Sequence, residues 1–520
     1  MKALRRTLRM GMAIVGLTLL AACASLPSQS SRTASYAEHD TDTTRLGTTF
    51  VPAEQAHPGE DAFAPLLNGV DALVARVILA ESADRTLDLQ YYIWHNDLTG
   101  RELGAAILRA ADRGVRVRLL LDDLGTNGDD TLLLTLDSHP NIQIRLFNPV
   151  ADRSFKKLSA LFSFSRINRR MHNKAMIADN QAAILGGRNI GDEYFGASET
   201  VDFGDLDVLV HGPVVRDVSD AFDAFWNSDS AYPIATLVGR KADPDALPAL
   251  RKTIDTYLQS VQNADYMQRA RDRLGPFLSN GTAGFSWGKA TLLHDDPSKV
   301  EQAPTETETH LMTQFRALKL RPSDDMLVVS PYFVPGKEGL EWLSGLSHSG
   351  VHVTVLTNSL AATDVAAVHA GYRRYREALL EAGVHLYELR PDPDEEPIKK
   401  SMLGSSRASL HAKTYVFDHE KIFIGSMNLD ARSVELNTEI GLLCENRTIA
   451  SEVANSLEPQ LDRIAWRVEL RPSANGTQHL IWIQTASDGT VTQYDSEPEA
   501  SSMRRLQVWF LGLLPIESQL

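Results

Sequence analysis

Two stretches of the chain carry the same reactive side chains in the same frame. MHNKAMIADNQAAILGGRN, residues 171–189, presents His172, Lys174, Asp179, Gly186, Gly187 and Asn189. LHAKTYVFDHEKIFIGSMN, residues 410–428, repeats the design with His411, Lys413, Asp418, Gly425, Ser426 and Asn428. An imidazole can attack an electrophile or carry a proton, and a lysine ammonium or asparagine amide can stabilise an anionic oxygen. A lone His-x-Lys says almost nothing. Two copies in register point to a paired site.

Both stretches alternate and are rich in apolar and β-branched residues, which predicts strands. Positions two apart on a strand share a face, so each His projects with its Lys. Asp179-Asn180 and Asp418-His419-Glu420 read as hairpin turns that bring each Asn back towards its own His-Lys pair.

The paired motif resembles the signature of the phospholipase D superfamily. That resemblance implies two halves facing each other, with both histidines meeting on one phosphodiester. A phosphodiester anion repels nucleophiles, so its oxygens must be neutralised and the attacker must be uncharged and well aimed. Lys174, Lys413, Asn189 and Asn428 suit the first task and neutral imidazole the second. A second imidazole, protonated, serves the leaving alkoxide from the opposite face. By resemblance, His172 is the nucleophile that becomes a phosphohistidine and His411 is the acid/base.

Each imidazole also needs a partner on its other nitrogen. FGDLDVLV (203–210) and LNTEIGLL (436–443) follow the motifs and carry acids. Family analogues place a carboxylate here, and the best register matches Asp205 with Glu439; Asp207 is the competitor. Asp179 and Asp418 look like turn or salt-bridge residues, and Gly187 and Ser426 like structural members of the motif. No dense His/Cys/Asp/Glu cluster has metal-ligand spacing, and the superfamily chemistry implies no metal or other cofactor.

The elements that position these residues recur with them. TLDLQYYIW (86–94), GVRVRLLLDD (114–123) and IQIRLFNP (142–149) are strands alternating with helices at 102–113 and near 131–136. MLVVSPYFVP (326–335), GVHVTVLTNS (350–359) and VHLYELRP (384–391) retrace them at a nearly constant offset. This is a duplicated α/β domain, each copy a mixed, largely parallel sheet flanked by helices, with the active site between the halves. The expected organisation is a leader 1–22, a tether 23–64, a first domain 65–230, a helical insert 231–284, a second domain 285–465 and a C-terminal hairpin and tail 466–520. Pro65 is read as a first-turn helix proline, and a chain starting near residue 62 is expected to fold without the tether.

Lys2, Arg5, Arg6 and Arg9 precede an apolar run, Met10–Leu20, too short to span a bilayer. The run ends in Leu20-Ala21-Ala22-Cys23, which resembles a bacterial lipoprotein box. Lipidation of Cys23 would anchor the chain facing the periplasm, and Ala24 favours the outer membrane over the inner by resemblance to lipoprotein sorting. Cys444 is then the one thiol left, so no internal disulfide can form. Net charge is −15 and becomes more negative once the basic leader is removed, which argues against non-specific nucleic-acid binding.

FKKLSALFSFSRINRR (155–170) mixes Lys156, Lys157, Arg166, Arg169 and Arg170 with three phenylalanines, and IKKSMLGSSR (398–407) adds Lys399, Lys400 and Arg407. In so acidic a chain these loops suggest contact with anionic lipid headgroups, with Arg166, Arg169 and Arg170 as candidates. The tail VWFLGLLPI (508–516) behind Arg504 and Arg505 reads either as an interfacial segment or as a piece docked on the core. Whole stretches, several of them outside the motifs, among them LDLQYYIW, GGRNIGDEYFGA and LTNSLAATDVAAVHAGY, resemble bacterial cardiolipin synthases of the C type. That likeness implies transfer of a phosphatidyl group to phosphatidylglycerol, with phospholipids and a membrane surface as partners. A hydrolytic phospholipase D, a periplasmic nuclease and a non-catalytic lipid-binding lipoprotein are the alternatives.

Overall fold

The computed structural model describes residues 26–29, 32–126, 129–153, 164–198, 200–280, 284–391, 408–473, 476–486 and 488–520. The leader, Cys23, Phe155, Lys156, Lys157, Phe162, Lys399, Lys400 and Arg407 lie outside the described residues. Among the described residues no helix is long and apolar enough to cross a membrane.

The first half builds one mixed sheet. Its strands are β1 (Asp61–Leu66), β2 (Thr86–Tyr91), β3 (Arg116–Asp122), β4 (Ile142–Phe147), β5 (Ala175–Ala178), β6 (Ala182–Gly186), β7 (Asp202–Gly204), β8 (Asp207–His211) and β9 (Ala231–Pro233). β7 stands apart from this sheet. β2, β3 and β4 run parallel, and β2 then pairs antiparallel with β5, followed by β6, β8 and β1. Parallel neighbours require helical crossovers, supplied by α3 (Leu98–Asp112) and α4 (Asp130–Asp137), capped by Asp97 and Asp129.

The second half repeats this order strand for strand. β10 (Ser286–His294), β11 (Asp325–Val329), β12 (His352–Asn358), β13 (His385–Leu389), β15 (Lys413–Phe417), β16 (Lys421–Gly425), β17 (Ile440–Glu445) and β18 (Ala465–Pro472) stand where β1, β2, β3, β4, β5, β6, β8 and β9 stand in the first. β11, β12 and β13 are parallel; β15, β16, β17 and β10 follow antiparallel. The expected hairpin appears as β19 (Gln478–Thr485) and β20 (Val491–Tyr494), added to the edge at β18.

β1 pairs antiparallel with β10, so the two sheets join edge to edge. The sheets also face one another. Leu120, Ile177, Val208 and Val210 from the first half pack in one buried cluster with Leu327, Val416, Ile422 and Leu442 from the second. The opposite sheet faces carry separate cores against their own helices. Strands covered on both sides read as near-continuous apolar runs, as AAILG and KIFIG do. The segment 231–284 is mostly helical, with α6 (Ala246–Val261) and α7 (Asp265–Asn280) lying against the first half.

The expected tether is largely folded. Gln29 donates to the Asp229 carbonyl (2.6 Å), and the Ser35 carbonyl accepts from Arg118 (2.8 Å). Residues Arg45–Ala56 form helix α1, capped by Thr44, which buries Leu46 and Phe50 in the first-half core. Pro65 lies in strand β1 rather than in a helix; the helix α2 (Gly69–Ser82) that follows is capped by Asn68. Asp61 accepts from the Val214 N–H (2.8 Å) and the Ala290 N–H (3.1 Å), tying both halves to this segment. Low apolar content hid these contacts, which are long-range and partly polar. A chain starting at residue 62 therefore loses α1 and Asp61, the first residue of β1.

Candidate active site

Both motif turns are built as the sequence requires. Asp179 and Asn180 have φ of 52° and 51°, and Asp418 and His419 both 51°, the left-handed pair of a two-residue hairpin turn. The Asp179 carboxylate accepts from the N–H groups of Asp84, Arg85 and Thr86. Asp418 does the same for Ser323, Asp324 and Asp325. Each acid thus fastens the motif hairpin to the start of the neighbouring strand. Neither is hydrogen-bonded to His172 or His411.

The histidines are oriented across the halves. His172 Nδ1 lies 2.8 Å from Glu439, and His411 Nδ1 lies 2.6 Å from Asp205. Each first-half imidazole is therefore held by a second-half carboxylate, and the reverse. Backbone pairing causes the exchange. His172 N–H donates to the Thr438 carbonyl (2.9 Å) in the parallel bridge Met171–Thr438. Reciprocally, β14 (Ala408–Leu410) pairs parallel with β7, and His411 N–H donates to the Gly204 carbonyl (2.8 Å). Thr438 precedes Glu439 as Gly204 precedes Asp205, so both carboxylates arrive beside the opposite half's histidine.

The two carboxylates sit in unlike seats. A Cβ on Gly187 would come within 2.1 Å of Asp205 Oδ1, so only glycine leaves room. The matching Ser426 instead donates its hydroxyl to Glu439. Both carboxylates are fully buried. Burial raises the Glu439 carboxyl to about 7, with Lys174 and Ser426 opposing. Burial acts the same way on Asp205, but the His411 imidazole, Lys413 and Arg188 outweigh it and hold that carboxyl at about 2.

Burial and the nearby lysines push both imidazoles down, His411 to about 4 and His172 well below its ordinary value. Both are therefore neutral at pH 7. The ionised Asp205 accepts, so His411 Nδ1 carries the proton and its Nε2 keeps its lone pair, and Glu439 in its ionised form orients His172 the same way. Lys174 and Lys413 donate to the carbonyls of His172 (2.6 Å) and His411. Burial lowers Lys413 to about 8 and lowers Lys174 strongly. Each lysine acts electrostatically on both histidines, so the two motifs form one site. Two buried lysines beside two neutral imidazoles suit an anion, whose charge favours their ammonium forms.

The asparagines return to the cluster by different fastenings. Asn189 accepts from the Ile93 N–H (3.2 Å), and its side chain also lies against the Tyr194 hydroxyl. Asn428 is held through its backbone N–H by Ser433 Oγ (3.3 Å), and its side-chain oxygen has no hydrogen-bond partner among the described residues. Tyr92 lies edge-on to His172, and Tyr194 edge-on to His411, at ring separations of 5.3 and 5.2 Å.

Asp207 belongs to another network. It pairs with Arg76 (2.9 Å) and Arg188 (3.3 Å) and contacts neither histidine. Asp295, which the motif reading missed, accepts from the Glu439 N–H (2.8 Å) and pairs with Lys299 (3.0 Å). It lies far from the motif in sequence, and no spacing marks it.

The three arginines expected to meet lipid are internal fasteners. Arg170 is only 4% exposed and makes a forked pair with Asp122, which also accepts from the Met171 N–H (3.0 Å). Arg166 donates to Asn148 and the Pro149 carbonyl, and Arg169 to the carbonyls of Lys299 and Gln302. Their guanidinium groups serve carbonyls and a carboxylate next to the first motif, so the expectation of headgroup contact is withdrawn for them.

Two other groups of ligand-type side chains come together among the described residues, His95–Asp97–Glu193 and Asp325–His419–Glu458. Both draw on residues far apart in sequence, which no local spacing marks. In the first, Asp97 caps α3 and accepts from the Asp192 N–H, and His95 pairs with Glu193 (3.1 Å). In the second, His419 lies between Asp325 (3.4 Å) and Glu458 (3.3 Å). Hydrogen bonds and ion pairs within the fold account for both.

The family model described as "Cardiolipin synthase, PLD-like domain" matches residues 77–226 and 320–460, one match in each half. The chain is 41% identical to Cardiolipin synthase C of Escherichia coli over 485 residues, covering 91% of this chain and 99% of that one. It is 27% identical to Cardiolipin synthase A of Pseudomonas entomophila, covering 76% of this chain and 68% of that protein. Its fold is similar to the phosphatidylserine synthase of Haemophilus influenzae, with a TM-score of 0.55 at 14% identity over 90% of this chain and 99% of that one. With a matching domain in each half and both His-Lys-Asn sets gathered in one buried cluster, the chain belongs to the phospholipase D superfamily.

Proposed function

We propose that this protein is a phosphatidyltransferase of the cardiolipin synthase kind. It moves a phosphatidyl group from a glycerophospholipid donor to phosphatidylglycerol through a phosphohistidine on His172. The observation that carries the reading is the crossed pairing of two neutral imidazoles with two carboxylates of unequal charge. Likeness to Cardiolipin synthase C over nearly the whole chain supports the lipid substrate.

The inequality separates the roles. Asp205 stays ionised beside His411 and so favours an imidazolium there. Glu439 sits near half-protonation at pH 7 and supports a cation at His172 less well. His172 is thus the better neutral nucleophile and His411 the better proton carrier. Binding of the phosphodiester between Lys174 and Lys413 adds negative charge that raises His411 and lets it hold a proton. His172 Nε2 attacks phosphorus, the bond to the donor headgroup oxygen breaks, and His411 gives that oxygen its proton. The acceptor hydroxyl then loses its proton to His411 and attacks, and the phosphorus–nitrogen bond breaks. Asn189 and Asn428 stand beside the lysines to steady the phosphoryl oxygens. No step in this scheme calls on a cofactor.

Water competes with the lipid alcohol for the same intermediate, and product analysis decides between them. Vesicles containing phosphatidylglycerol, with or without phosphatidylethanolamine, should yield cardiolipin as the main product. Phosphatidic acid dominating at saturating phosphatidylglycerol would make the protein a hydrolase. On this reading the lipoprotein box at Cys23 anchors the enzyme facing the periplasm, with the outer membrane favoured. Cys23→Ser should then abolish lipid labelling.

A further inference from the structure

The C-terminal helix α11 (Ser502–Gly512) carries an apolar face that the fold leaves uncovered. Met503, Leu506, Trp509, Phe510 and Leu513 are 73, 57, 58, 57 and 63% exposed. They are five of the nine large apolar side chains exposed among the described residues. Their spacing of three and four puts them on one stripe. The opposite face is docked, with Val508 buried against Leu360, Ala370 and Ala500. The sequence reading offered interface or core for this segment; the helix has one face in each.

Its fastenings place it beside the site. Arg504 donates to the Thr363 carbonyl, in the turn after β12. That turn touches the strand leading into His411, because Ser409 donates to the Ala362 carbonyl (3.2 Å). Beyond the helix, the Leu520 carbonyl accepts from the Arg432 N–H (2.6 Å), and Arg432 donates to the Asn168 carbonyl (2.8 Å) four residues before His172. The tail therefore bridges the approaches to both motifs. Residues 500–516 contain Arg504 and Arg505 and no acid, in a chain of net charge −15. Arg504 and Arg505 are half-exposed, each with one guanidinium nitrogen donating to a carbonyl, that of Thr363 and that of Glu497; with Trp, Phe and Leu on its free face, the segment fits the headgroup layer of an anionic bilayer.

We propose that α11 lies in the plane of an anionic lipid surface with its Met503-to-Leu513 stripe inserted, and so holds the mouth of the site at headgroup level. This rests on the lipid-substrate reading above. The anchor on that reading is also short, since residues 24–28 alone separate Cys23 from Gln29, which is bonded to the Asp229 carbonyl. Five residues reach about 17 Å at full extension.

The test uses the full chain in phosphatidylglycerol vesicles with brominated acyl chains. Tryptophan fluorescence should be quenched in the parent and spared by Trp509→Phe, which reports the position of that one side chain. The triple variant Leu506→Gln, Phe510→Gln, Leu513→Gln keeps Trp509 and alters only exposed positions. It should lose the quenching and turn over vesicle lipid at least about tenfold more slowly. Its turnover of short-chain phosphatidylglycerol below the aggregation concentration should equal the parent's. Equal vesicle turnover or unchanged Trp509 quenching in the triple variant overturns the proposal. A parent dimer that the variant splits also overturns it, by giving the stripe a protein partner. If the parent acts on neither substrate, the transfer reading fails, and the quenching experiment still decides where α11 sits.

Discussion

The two halves share a fold, a strand order and a motif, yet their carboxylates are in opposite electrostatic states. Asp205 is short, faces a glycine and is held at about 2 by His411 and its cationic neighbours. Glu439 is longer, accepts from Ser426 and is pushed up to about 7 by burial. One methylene in the acid and one hydroxymethyl group facing it separate the seats. Duplication supplies two imidazoles, and on the proposed mechanism the divergence of their partners suits one to act as nucleophile and the other to carry the proton.

The largest effect should come from the imidazoles themselves. His172→Ala and His411→Ala should each lower turnover by about 10⁴-fold or more, and the double variant should be no worse than either, because the pair acts as a unit. Rapid quench of the parent should find label on His172. Label on His411 would invert the comparison, and near-normal turnover in either variant would break it.

The carboxylates should separate by degree. Asp205→Asn removes the charge that stabilises a His411 imidazolium and should cost about 10²-fold or more in kcat. Glu439→Gln replaces a group already near half-protonation and should cost about tenfold. Steady-state kinetics of the two variants side by side measures the asymmetry. Equal losses would mean that the seats differ in structure but not in function.

A smaller effect concerns pH. The folded value of Lys413, about 8, lies below its unfolded value of 10.5. Keeping it charged therefore costs stability below about pH 8, and this cost disappears as pH rises from 8 towards 10.5. A bound anion needs that charge. Orthovanadate affinity, followed by calorimetry, should accordingly weaken as pH rises through 8. A flat profile up to pH 10 would remove Lys413 from the anion site.

The mildest test exchanges the seats. Gly187→Ser forces a Cβ to within 2.1 Å of Asp205 Oδ1, and such overpacking should destabilise by about 1–3 kcal/mol. Ser426→Gly deletes one hydroxyl from Glu439 and should cost about 1 kcal/mol. Thermal melts of the two variants check the order. The reverse order would show that the serine seat, not the glycine seat, is the constrained one.

Much of this protein was written locally. The hydrophobic alternation set the strands, the repeated frame set the duplication, and His172, Lys174, Asn189, His411, Lys413 and Asn428 were all legible from spacing. Asp179 and Asp418 were legible as turn residues because a two-residue hairpin needs φ > 0 at both positions. These are short-range signals, and a chain carries its short-range signals in plain view.

Tertiary structure decided what depends on distant partners. Arg170 reads as a loop cation until Asp122 from β3 closes on it, and the residues before Pro65 read as a tether until α1 finds the first-half core. Nothing near His172 foretells that its partner is Glu439, 267 residues away. That choice belongs to two parallel backbone contacts, Met171 with Thr438 and β14 with β7, which exist only when the halves are docked. The sequence determined which side chains could do the chemistry. Docking of the halves decided which carboxylate serves which histidine, because a hydrogen bond depends on separation in space and not along the chain.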